Sequence, residues 1–291
     1  MKPIIVTDSC SDLPDALYKE FEIERVKLSY TFGSDSFFDN SIDAETIEFY
    51  NKMRAGGAPM TSQVNTQAFL DFFEALIPQN RPIIYIGFSS KLSSTYSCSV
   101  VATDILREKY PDLQIISIDS KCASMGLGQV CIYAARLRDE GKSFQEIVDW
   151  VEVNAYRSHH WVCVDDLQYL KRGGRLSSAE AFFGSLLSIK PLIWMDVEGH
   201  LAPFAKERGR KKVFRAMIDK ILENVESPEE QTLFICHSDA PDGVEELREM
   251  LAEKIVFKDI QVCSLGVVIG SHVGPGTWAL FFMGKDKRTT V

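Results

Sequence analysis

Residues 87–102, GFSSKLSSTYSCSVVA, place seven Ser and Thr hydroxyls between an apolar run, IIYIGF, and a segment with helical patterning. Ser90 and Ser93 in such a turn suit a nucleophile, a serine oxygen attacking an acyl carbon while a histidine takes its proton. The G-x-S-x-G elbow that usually presents a hydrolase serine does not occur in the chain. Five histidines still leave a base available, so an acyl hydrolase or transferase using Ser93 with His272 stays open beside a binding role.

Other motifs offer less. GPGTWA at 274–279 fits G-x-G-x-x-A, yet Pro275 removes an N–H that would face a pyrophosphate, and too few residues follow for the helix and second strand of a dinucleotide unit. His159 and His160, adjacent in a strand, point to opposite faces and cannot share one metal ion; Asp165 and Asp166 meet the same objection. His272 closes the apolar run LGVVIGSH, read here as a strand, ahead of Gly274 and Gly276, which let backbone approach a ligand closely. Seven cysteines, an odd number with no C-x-x-C pair, speak against a zinc site and a disulfide framework.

Net charge is −9, which disfavours broad nucleic-acid binding. Positive charge is nevertheless concentrated in KRGGR, 171–175, and KERGRKKVFR, 206–215. Basic residues at a helix start oppose its dipole, so these segments suit docking of an acidic or phosphate-bearing partner better than helix stability.

These groups need elements to hold them. In the first half β-type runs alternate with helical patterns: PIIVTDS, RPIIYIGF and LQIISIDS each precede an amphipathic stretch. That rhythm predicts a parallel sheet covered by helices, with strand ends Thr7–Ser9, Ser89–Ser90 and Asp119–Ser120 on one edge. Ser11 or Asp12, ahead of Pro14, fits a helix N-cap. In the second half HHWVCVDD, KPLIWMDVEGHLAPF, QTLFICHSD and QVCSLGVVIGSH read as strands, with VEG as a hairpin turn and helices at FFGSLLSI, KVFRAMIDKILENV and VEELREMLAEKI. The expected class is α/β in two domains: 1–155, three-layer α/β/α around a parallel sheet, and 156–291, two-layer α/β with a mixed sheet, the ligand lying between them. No apolar stretch reaches membrane-span length, and MKPIIVTDSCSDLP turns polar after IIV, so a cytoplasmic protein without a signal peptide is expected.

The ordered set IVTDSCSDLP, MTSQVNTQAF, SSKLSSTY, IDSKCASMGLG, LQYLKRGGRLS, LLSIKPLI, KERGRKK and IGSHVGPG resembles the DegV family from residue 4 to about 284. These are bacterial fatty-acid-binding proteins whose best understood members serve as the FakB subunit of fatty acid kinase. The resemblance implies a non-catalytic carrier that buries one long-chain fatty acid and presents its carboxylate to an ATP-dependent kinase subunit, with no cofactor or metal and only transient membrane contact. It places the head-group contacts on Thr61, Ser93 and His272, beside Ser62 and Ser94. Phe182, Leu186, Leu187, Ile189, Leu280 and Phe282 are the expected walls of the acyl tunnel, and Arg172, Arg175, Arg208 and Lys211 the expected docking rim. Ser94 stands where the family usually has glycine, Val64-Asn65 where Pro-Ser is common, and Trp278 and Leu280 where smaller residues are frequent, which implies a reshaped tunnel.

Overall fold

The computed structural model describes residues 1–175 and 189–289. Among these, thirteen strands form three sheets. The first is wholly parallel, in the order β2 (Ile23–Val26), β1 (Ile4–Asp8), β6 (Ile83–Gly87), β7 (Ile115–Asp119). All five residues of β1 and of β6 are buried, as central strands covered on both faces require. Helix Thr66–Leu76, capped by Asn65, which accepts a bond from the Ala68 N–H, sets Phe69 and Phe73 against Tyr85 of β6.

A second sheet runs β10 (Leu201–Glu207), β9 (Lys190–Met195), β8 (Ser158–Cys163), β13 (Trp278–Met283), β11 (Thr232–His237), β12 (Asp259–Ser264); only the β11–β12 pair is parallel. Its side chains alternate between two cores. Trp278, Leu280 and Phe282 pack with helices Arg210–Asn224 and Asp242–Ala252, whereas Ala279 and Phe281 belong to the core shared with the parallel sheet. The class expected from the sequence, mixed α/β with one parallel and one mixed sheet, is therefore present.

Three features depart from expectation. A third sheet, β4 (Asp35–Phe38), β3 (Ser29–Phe32), β5 (Met60–Ser62), is antiparallel and too short to leave a periodic signal. The run QVCSLGVVIGSH is not one strand: β12 stops where its partner stops, at the His237–Ser264 pair, and Val267–Val273 turns helical. Beyond the last ladder partner the backbone satisfies its own hydrogen bonds. The expected N-cap at Ser11 or Asp12 is also absent: helix Asp15–Glu20 begins on Pro14 without a side-chain cap, Ser11 bonds Tyr18 Oη at 2.7 Å, and Asp12 bonds Ser124. The helix expected at FFGSLLSI, with Phe182, Leu186 and Leu187, lies outside the described residues.

Helix Met125–Asp139 lies between the parallel and mixed sheets, packing on β1 and β6 and on β8 and β13. Eleven of its residues are buried, and exposure is confined to its C-terminal turns at Arg136 and Asp139. Its first turn depends on a missing side chain: a Cβ at Gly126 would fall 1.9 Å from His160 Nε2. His160 cannot yield, because Nε2 accepts the Ala123 N–H at 3.2 Å while Nδ1–H donates to Ser158 O at 3.1 Å. Gly126→Ala is expected to lower stability by about 1–3 kcal/mol, read as a shifted urea midpoint; an unchanged midpoint would show that the two layers separate freely.

Candidate functional site

Three of the hydroxyls in the 87–102 turn, those of Ser89, Ser90 and Ser99, serve the scaffold. Asp8, at the end of β1, accepts the Phe88 N–H at 2.9 Å, and Asp119, at the end of β7, accepts the Ser90 N–H at 3.2 Å and its hydroxyl at 2.6 Å. Ser89 Oγ donates to Gly199 O at 2.8 Å, which links the turn to the β9–β10 hairpin. Ser99 Oγ returns to Tyr96 O at 2.7 Å. Ser93 and Ser94, with Ser90, line a cavity of about 630 Å³.

Ser93 Oγ accepts the Thr95 N–H at 3.2 Å and shares a bond with Thr95 Oγ1 at 2.9 Å, so a Thr95 donor would leave the Ser93 proton free for a guest. Thr61 arrives from β5, where it pairs with Tyr30, a buried ring that stacks on exposed Phe37 and meets buried Phe49 edge-on. His272 arrives from the last turn of helix Val267–Val273, and its Nε2 lies 2.9 Å from Thr61 Oγ1. Gly173 makes room for the ring, since a Cβ there would sit 2.3 Å from His272 Nδ1. That nitrogen is buried without a hydrogen-bond partner among the described residues. Burial, then the nearby Arg175 and Arg172 charges, push the imidazole pKa down to about 4.

Thr61, Ser62, Ser93, Ser94 and His272 thus all border one cavity, together with Arg175. Arg175, expected on a docking rim, instead donates from Nε to Leu92 O at 3.1 Å and from Nη1 to Gly173 O, which fixes its guanidinium beside the Ser93 turn. Arg172 is exposed, its guanidinium 5.1 Å from the centre of the Tyr169 ring, and Arg208 and Lys211 are exposed around the start of helix Arg210–Asn224.

The apolar walls differ from those expected. Strand alternation turns Leu280 and Phe282 into the far core, and half-buried Ile189 is not on the cavity wall. Trp278 also faces away, its Nε1–H held by Ala240 O at 2.9 Å, so bulk at 278 and 280 does not narrow this space. The walls include Val162 of β8 and Val164 just after it, Ile193 and Met195 of β9, Ala279 and Phe281 of β13, and Leu265, Val268 and Ile269 around the His272 helix. Ala279 and Phe281 face the cavity from the odd-numbered positions of β13. The bonds of Ser93 go to Thr95 and that of His272 to Thr61, so a nucleophile–base pair between Ser93 and His272 is not formed among the described residues. Among those residues, too, no helix is long and apolar enough to cross a membrane.

A family model described as DegV, a family of uncharacterised proteins, matches residues 2–285. A DegV domain-containing protein of Clostridium perfringens is 44% identical over 289 residues, covering 99% of each chain. Among solved structures, a DegV family protein of Thermus thermophilus described by its fatty acid binding superposes with TM-score 0.87 at 29% identity, covering 98% of this chain and 100% of its own. A Thermotoga maritima protein described as revealing fatty acid binding function gives TM-score 0.84 at 27% identity, with 98% and 100% coverage.

The low His272 value has a definite consequence. A histidine whose pKa is depressed in the fold contributes stability that is complete above its unfolded value of 6.5 and is lost as pH falls toward about 4. NMR of the imidazole nitrogens should find His272 neutral at pH 5.5, and His272→Gln should weaken the acid sensitivity of unfolding in that window. A ring that titrates near 6.5 would contradict the buried geometry.

Proposed function

Because the chain belongs to the DegV family, we propose that it holds one long-chain fatty acid in this cavity and, without chemistry of its own, presents the carboxylate to an ATP-dependent kinase subunit for conversion to acyl-phosphate. The observation that carries this reading is an apolar space of about 630 Å³ bordered by a compact set of uncharged donors, Thr61, Ser93, Ser94 and His272. A volume within the roughly 300–1,000 Å³ usual for small-ligand sites suits a single guest. The DegV family protein of Thermus thermophilus and the Thermotoga maritima protein described by its fatty acid binding function, similar over nearly the whole chain, support a fatty acid as that guest.

Physics divides the work between tail and head. A buried carboxylate needs several donors, and hydroxyls supply them without adding charge. About fourteen methylenes at roughly 0.8 kcal/mol each contribute on the order of 11 kcal/mol before entropy losses. The tail therefore supplies affinity and the head supplies orientation. Arg175, near enough to depress His272, adds a positive field that favours the ionised carboxylate.

In this reading residues 1–155 bring the carboxylate-binding turns and 156–291 most of the tail wall, as two units enclosing the guest. Arg172, Arg208 and Lys211, exposed outside the cavity, are the positions offered to the kinase. The setting is the cytoplasm, with membrane contact only while lipid is exchanged.

Lipid extracted from the purified protein should be an unmodified saturated or monounsaturated long-chain fatty acid. Thr61→Ala and Ser93→Ala should each weaken its binding about tenfold or more, since a hydrogen bond to a charged group is worth about 1.5–3 kcal/mol. Addition of a kinase subunit and ATP should yield acyl-phosphate, reduced when Arg208 and Lys211 are reversed to Glu while binding persists. Absence of any extractable lipid together with no measurable fatty acid affinity would end the proposal, and a covalent acyl group on Ser93 would replace it with an enzyme.

A further inference from the structure

The hydroxyl of Ser93 has its role fixed by a residue behind the cavity. Ser93 stands two positions before Thr95, the first residue of helix Thr95–Lys109, and its Oγ accepts the Thr95 N–H at 3.2 Å. The side chain of Ser94 makes no capping bond, so Ser93 takes the first orphan donor of that helix. One lone pair of Ser93 Oγ is thereby committed to the scaffold. The other contact, 2.9 Å to Thr95 Oγ1, joins two hydroxyls, and the distance alone does not say whose proton lies between them.

Thr95 decides it. The residue is 0% exposed and does not border the cavity. Its Oγ1 accepts the Val64 N–H, a long bond of 3.4 Å that comes from just beyond β5. Among the described residues the Thr95 hydroxyl has one acceptor within reach, Ser93 Oγ. Were Ser93 to donate instead, Thr95 Oγ1 would receive two protons and its own O–H would be buried with no acceptor, which disfavours that arrangement by about tenfold or more. With Thr95 donating, both hydroxyls are satisfied. Ser93 Oγ then holds two incoming protons, and its own proton points into the cavity that Ser93 lines.

We propose that Thr95 is a positioning residue that makes Ser93 a dedicated donor, the relay running one way from Val64 N–H through the Thr95 and Ser93 hydroxyls into the cavity. The guest end it selects is one that only accepts, as an ionised carboxylate does, over one that only donates, such as an ammonium. Each bond entering Ser93 polarises its O–H and strengthens the one it gives. Binding then requires no scaffold bond to break and no hydroxyl to turn, so less is lost on ordering the site. The same relay ties the exit of β5, which carries Thr61, to the start of the helix behind Ser93, so the two head-group hydroxyls are held in one frame although they leave different elements. That the guest is a fatty acid rests on the reading above; the direction of the hydroxyl pair does not.

Binding of hexadecanoic acid and of 1-hexadecanol tests it. Thr95→Val, which keeps the shape and removes the donor, should weaken the acid about three- to tenfold and the alcohol less than about twofold, because an alcohol both donates and accepts and suits a Ser93 turned either way. Thr95→Ser should bring acid binding back to within about twofold of the natural protein. Equal losses for the two probes would reduce Thr95 to a packing residue, and no loss for either would mean that Ser93 is oriented without it; each result overturns the proposal. If Thr95→Val does not fold, NMR of the natural, ligand-free protein decides. A slowly exchanging hydroxyl proton correlated with the Thr95 β-proton is expected, and its absence, or a slowly exchanging Ser93 hydroxyl in its place, would refute the relay. Failure of the fatty-acid reading is distinct, since there the natural protein binds neither probe while the NMR result stands.

Discussion

A polar atom facing an apolar cavity must find a partner or lose several kilocalories per mole, and the arrangement of this molecule follows from that constraint. The bond between Thr61 and His272 joins residues 211 positions apart. To make it, a short antiparallel sheet must project from the first half, a helix must replace what would otherwise continue β12, and residue 173 must lack a side chain. One ring nitrogen is satisfied and the other is not, which leaves a neutral imidazole with capacity for one further bond.

Rigidity at this point comes from charges placed behind the cavity, not in it. Asp8 accepts bonds from Tyr85 Oη at 2.6 Å, from Phe88 N–H and from Cys10 N–H, so a carboxyl whose pKa burial raises is still held by three donors. With Asp119 it immobilises the turn that ends in Ser93. The hydroxyls crowded into residues 87–102 therefore divide by role: Ser89, Ser90 and Ser99 hold the loop, so that Ser93 and Ser94 can face inward in a fixed direction. Local richness in serine reflects the cost of building a sharp strand-to-helix turn more than the number of groups needed for a guest.

The readable parts of the sequence were those in which period and burial coincide. β1, β6 and β7 are short apolar runs bounded by turn residues. LGVVIGSH was misread because an unbroken apolar run has no period to distinguish strand from helix; the end of the β11 ladder decided it. β3, β4 and β5 are three or four residues long and left no signal. The tunnel walls at Leu280 and Phe282 were misplaced by one residue of phase, since β13 is apolar at every position and only its neighbours determine which face meets the cavity. Asp12 looked like a cap because capping residues and buried acids share a composition. Only tertiary placement against Ser124 and Gly266 separates the two.

The size of the cavity bears on why the fold keeps two cores. At about 24 cal/mol per Å³, an apolar space of 630 Å³ left dry would cost on the order of 15 kcal/mol, as much as the whole stability of an ordinary domain. Part of that cost is offset where hydroxyls and Arg175 make the walls wettable, and the remainder falls on packing elsewhere. The helices Arg210–Asn224 and Asp242–Ala252 close a separate apolar core on the far face of the mixed sheet, and helix Met125–Asp139 is buried almost all round between the sheets. A guest that fills the space adds stability in proportion to its affinity and concentration, so occupancy and folding are linked in this architecture, and the strands that wall the cavity are held from behind by contacts the guest does not touch.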